Sequence, residues 1–144
     1  MANPKVFQFD QEGVKVTVPE QSRRVRAVTL SLGSLGKMAS KPGGFQPERL
    51  VINIALEDED QPGVYLEEID PPFELRVRYT RGDLEKAQKA GKELKLAFWD
   101  GKQWVVFTRE KHQFELHPSS QGDGGGYGMV RISRWGDPNI GWGK

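Results

Sequence analysis

The sequence predicts an all-β protein, an antiparallel β-sandwich of two sheets. Three observations predict it. Apolar residues recur with a period of two rather than that of a helix. Turn residues punctuate the chain roughly every 8–15 residues. One stretch alone carries a helical pattern, and it is too short to hold by itself in water. The chain has 144 residues, about a quarter of them Leu, Ile, Val or Phe. That is one domain's length, with enough apolar surface for one core.

The elements follow in order. Residues 6–9 form a short first strand. Val14, Val16 and Val18 share one face of a second, which Pro19 ends. Val28, Leu30 and Leu32 share a face of a third, and Leu50, Ile52, Ile54 and Leu56 a face of a fourth. Residues 73–80 alternate without error: Phe73, Leu75, Val77 and Tyr79 point one way, Glu74, Arg76, Arg78 and Thr80 the other. Successive strand side chains lie on opposite faces, so one set is core and the other wet. A short crossover helix falls near residues 83–90, with Asp83 as its N-cap, Leu84, Ala87 and Ala90 on one face and Gly91 closing it. Glu85 and Lys89 stand four apart in the favourable order.

Residues 94–108 read as a hairpin around Asp100 and Gly101, two residues that tolerate positive φ. A two-residue loop there pairs Trp99 with Lys102 and Phe98 with Gln103. Leu94, Leu96, Phe98, Val105 and Phe107 then face the core. Ala97, Trp99, Trp104 and Val106 face the other way, an unusually apolar set for a wet face. Residues 33–47 are a loop rich in glycine. The chain divides into a sandwich domain over 1–118, a glycine-rich linker over 119–128, and a final strand with a tryptophan-bearing tail over 129–144. That tail packs on the domain or on a neighbouring copy.

Composition excludes several chemistries. There is no cysteine, hence no disulfide, thiolate metal site or cysteine nucleophile. His112 and His117 lie in a polar stretch, and no serine sits in a nucleophile elbow. No catalytic residue, metal ligand or cofactor is assigned. The acids of residues 57–70 have no EF-hand spacing and read as a solvated turn rather than a calcium loop. Residues 122–128 resemble a phosphate loop in glycine content alone, without the lysine and helix that a phosphate loop needs. No apolar run is long enough to cross a membrane as a helix, and no signal peptide is visible at the start. A cytoplasmic chain and one whose leader was removed both fit.

The formal net charge is +1, but it is unevenly spread. Residues 50–75 hold eight acids and no Lys or Arg. Such asymmetry serves head-to-tail contact between copies or a partner of either sign. Arg76, Arg78 and the arginines at 23, 24 and 26 supply basic side chains, yet the overall charge does not support a phosphate footprint, so nucleic acid is not expected.

Trp99, Trp104, Trp135 and Trp142 are the leading candidates for contact with a ligand or partner. Large amphipathic rings stack on sugars or dock onto proteins with little loss of entropy. The competing role is a second core layer. Their exposure discriminates: burial only in an assembly favours protein contact, exposure throughout favours polysaccharide, and burial within one subunit leaves both without their main support.

Residues 73–107, with the strand FELRVRYT and the hairpin LKLAFWDGKQWVVF, resemble a segment of bacterial β-sandwich, immunoglobulin-like modules of surface and assembly proteins. VKVTVP resembles an early strand of the sandwich modules in ankyrins and netrin receptors. The resemblance implies a non-catalytic module that mediates protein–protein assembly, with itself or within a larger complex. The alternative is a carbohydrate-binding module whose platform is Trp99 and Trp104. An enzyme requires polar groups converging in a deep pocket.

Overall fold

The computed structural model describes residues 4–22, 24–29, 45–100, 102–122, 124–134 and 139–144. Among the described residues, ten strands and two short helices follow one another as β1 (Lys5–Phe9), β2 (Val14–Val18), β3 (Val25–Thr29), β4 (Pro47–Asp58), β5 (Glu68–Tyr79), α1 (Arg81–Lys89), β6 (Lys95–Trp99), β7 (Trp104–Val106), α2 (Arg109–His112), β8 (Glu115–Pro118), β9 (Gly126–Arg134) and β10 (Asn139–Gly143). They form two antiparallel five-stranded sheets. The first runs β1-β2-β5-β9-β8, the second β3-β4-β10-β6-β7. The all-β class read from the period-two pattern is therefore present.

The inner faces meet in one core. Val14, Val16, Leu75, Val77 and Val130 come from the first sheet, and Ile52, Ile54, Leu56, Leu96, Ile140 and Trp142 from the second. Each set occupies alternate positions of its strand, as a pleated ribbon with one greasy face requires. A small space of about 20 Å³ beside Phe73, Phe98, Phe107 and Ile140 has wholly apolar walls. A space of that character stays dry.

Four expectations need correction. Val28 does not face the core. It pairs with Ala55 in register, while Val25 and Ala27 turn inward. Leu30 and Leu32 lie outside the described residues. Leu50 leaves the face of Ile52 because the β4–β10 register shifts between Ile140 and Gly141, opposite Ile52 and Leu50. A one-residue slip turns a side chain to the other face of a sheet. Leu50 consequently packs with Trp99 and Trp104.

The hairpin loop is four residues, not two. Trp99 pairs with Trp104 and Phe98 with Val105. The Asp100 carboxylate accepts the amides of Gln103 and Lys102, each at 2.8 Å, which holds its pKa below the ordinary value. The Asp100 amide also donates to the Gln103 carbonyl at 3.1 Å, so side-chain and backbone bonds together close the loop. Because the register moved by an even step, every side chain stays on its expected face.

The N-cap of α1 is Thr80, not Asp83. The Thr80 hydroxyl accepts the Asp83 amide, and the Asp83 carboxylate accepts the Thr80 amide, a reciprocal capping box. Asp83 is thereby buried at N3, where Arg49 of β4 grips it through two hydrogen bonds of 3.0 and 2.6 Å. The helix is so tied to the second sheet.

The C-terminal stretch enters the interior of this chain. β9 lies between β5 and β8, and β10 lies between β4 and β6. The described part of 119–128 turns β8 into β9, with the Ser119 amide donating to the Gly125 carbonyl at 2.8 Å. In β10, a Cβ at Gly143 would collide with the Gln46 carbonyl. Glycine at that position lets the neighbouring backbone close in.

Candidate functional site: the outer face of the first sheet

The three described tryptophans are covered by their own chain. Trp99 is 8 % exposed, Trp104 2 % and Trp142 0 %. Trp99 and Trp104 meet edge to face at 5.6 Å and, with Phe45 and Ala97, fill a second apolar layer outside the second sheet. The Trp142 indole N–H donates to the Arg78 carbonyl at 2.9 Å, and its ring meets the edge of Tyr79 at 5.5 Å. Trp142 thus joins the two sheets, and none of the three rings presents a stacking platform to solvent. Trp135 lies outside the described residues.

The histidines are separated rather than joined. His112 ends α2, where its Nδ1 accepts the Thr108 amide at 3.2 Å and its ring stands edge-on to Phe107. His117 is in β8, stacked flat on Tyr127 at 4.9 Å. Its covered Nε2 has no hydrogen-bond partner, Glu115 Oε2 lying 3.3 Å away off the bonding direction. Among the described residues no three His, Asp or Glu gather as a metal site.

Burial, and then the charge of Lys111, lower the pKa of His112. The neutral ring also fits its role as acceptor. A lowered imidazole pKa contributes stability that is complete above the unfolded value of about 6.5 and is lost as pH falls toward the folded value. Acidification is therefore expected to free the Thr108 amide and fray α2. The Thr108 amide shift should follow the His112 ring titration, with a midpoint under the unfolded value. A ring midpoint at or above that value would contradict the assignment.

Much of the acidic stretch is neutralised within the chain. Glu57 meets Arg26 at 2.7 Å, Glu59 meets Lys5 and Arg24, and Glu68 meets Arg134 at 2.9 Å. Open charge remains on the basic side of the balance as well. The outward positions of the first sheet carry Lys15 on β2, Arg76 and Arg78 on β5, and Arg131 on β9. The register sets Lys15 opposite Arg76 and Arg78 opposite Tyr127. Arg76 reaches Glu74 at 3.2 Å and lies over the Tyr127 ring at 5.0 Å. Lys15, Arg78 and Arg131 have no ion pair among the described residues.

A groove of about 740 Å³ closes one end of this face. Arg78, Arg81, His117 and Tyr127 line it, between the β1–β2 turn and the β8–β9 turn. Each arginine lies across a turn glycine in the left-handed region. The Arg78 stem covers Gly13 (φ +70°), and the Arg81 stem covers Gly124 (φ +83°). A Cβ at either glycine would sit within 2.8 Å of the arginine. The guanidinium groups are thus held at the groove by stems resting on bare backbone. Arg81 also meets Glu85 at 2.9 Å, so the open charge of this lip is that of Arg78, beside a stacked aromatic pair.

Compared with family models, with curated proteins and with solved structures, the chain matches none.

Proposed function

We propose that the protein is a non-enzymatic binding module that joins protein assemblies by docking an acidic protein surface on the outer face of its first sheet. The observation that carries this reading is the cluster of Lys15, Arg78 and Arg131 on three adjacent strands, none in an ion pair among the described residues, although Arg131 stands opposite Glu74 in register. Cationic side chains on a pleated face present their charge in a fixed array, which steers and orients an oppositely charged partner. Two antiparallel sheets over one core are also the frame that immunoglobulin-like assembly modules share. The reading extends that resemblance to this chain.

Labelled poly-glutamate is the direct probe. Fluorescence anisotropy is expected to show binding that weakens with added salt and drops at least about tenfold in Arg78→Glu/Arg131→Glu. Both side chains are exposed, so the melting temperature should hold. Indifference of the probe to the double variant would overturn the reading. So would tighter binding of a single-stranded oligonucleotide, or retention on a polysaccharide column.

A further inference from the structure

Resting on that reading, we propose that the acidic surface which fills the groove is the β4–β5 loop of a second copy of this chain, so that copies join head to tail. The groove defines what must enter. Its lip is cationic through Arg78, with Arg81 beside it shared with Glu85, and its wall is the flat Tyr127–His117 stack. An occupant needs carboxylates beside an aromatic or apolar tip.

The loop between β4 and β5 has that chemistry. Asp60 and Glu67, with Asp70 just inside β5, are exposed and make no ion pair among the described residues. Between the first two stand Val64 and Tyr65, 44 % and 46 % exposed, two of the few large apolar side chains on the described surface. The loop is also shaped in advance. The Asp58 amide donates to the Val64 carbonyl at 2.9 Å, the Val64 amide to Gln61 at 3.0 Å and the Leu66 amide to Leu56 at 2.9 Å. Presenting a tip that is already ordered avoids much of the entropy cost of docking.

Loop and groove cannot meet within one molecule. Glu68 begins β5 and Arg78 lies near its end. Ten residues of strand place the two sites roughly 30 Å apart. The contact therefore uses two different patches, one from each copy. A heterologous contact of this kind closes into a ring or continues as a filament.

The experiment uses complementary knock-outs. Arg78→Glu/Arg81→Glu spoils the groove and leaves the loop. Asp60→Lys/Glu67→Lys spoils the loop and leaves the groove. Sedimentation velocity of the unaltered protein should show a mass that grows with concentration and shrinks with salt. Each variant alone should be at least about tenfold weaker in self-association. An equal mixture should yield a dimer of one of each and nothing larger, since one good loop meets one good groove. The proposal is overturned if the unaltered protein stays monomeric, if either variant assembles like it, or if the mixture gains nothing over its components. A monomeric protein that still binds poly-glutamate overturns the self-contact alone. Loss of both removes the binding reading too.

Discussion

Replacing Trp142 with alanine is expected to cost about 3–5 kcal/mol of folding stability, enough to unfold much of the population at physiological temperature. The ring is fully buried in the middle strand of the second sheet. Its indole N–H crosses the core to the Arg78 carbonyl of the first sheet. Truncation opens a cavity between the sheets and also leaves that carbonyl without its donor. Chemical denaturation followed by far-UV dichroism measures the loss. Trp142→Phe keeps most of the volume, loses the hydrogen bond and should fall between. A loss under about 1 kcal/mol for the alanine variant would mean the ring is not core.

The second large effect belongs to Asp83. Its carboxylate holds the Thr80 amide and the Arg49 guanidinium together at the start of α1. Asp83→Ala removes one member of a half-buried ion pair and a helix cap at the same stroke, and should cost roughly 2–4 kcal/mol. Burial pushes the Asp83 pKa up, but Arg49 and Thr80 outweigh it and the net shift is downward. A carboxylate with a lowered folded pKa contributes stability that is present above its unfolded value of about 3.9 and is lost as pH falls through the folded value. Acid unfolding of the unaltered protein should therefore show a proton uptake in that range, and Asp83→Asn should lack it. Equal proton uptake by the two proteins would place the acid-sensitive group elsewhere.

Legibility in the sequence followed the range of the interaction. The strand over 73–80 was readable because every position obeys the alternation. The faces of Leu96, Phe98, Trp99 and Trp104 were readable despite a wrong loop length, since parity survives an even shift. Val28 and Leu50 were misplaced by a competing register and a bulge, neither of which leaves a mark in nearby residues. β10 is the sharpest case. Asn-Ile-Gly-Trp-Gly reads as a tail because glycine is poor in strands. Its place between β4 and β6 depends on partners forty or more residues away, and on the close backbone at Gln46. The candidate site was legible in part. Arg76 and Arg78 stood out as the wet side of an alternating strand, whereas Lys15 and Arg131 did not. Tyr127 was hidden in a glycine-rich run, and only the pairing of β9 with β5 sets it beside them.

The position of β10 bears on how the chain reaches this form. Translation delivers the residues of this strand after those of the other nine, yet it occupies the middle of its sheet. Until it emerges, β4 and β6 each expose a bare hydrogen-bonding flank to the cell. Such flanks recruit stray strands. Ribosome-bound intermediates should accordingly be the species most in need of chaperones, with maturation arriving as one late step.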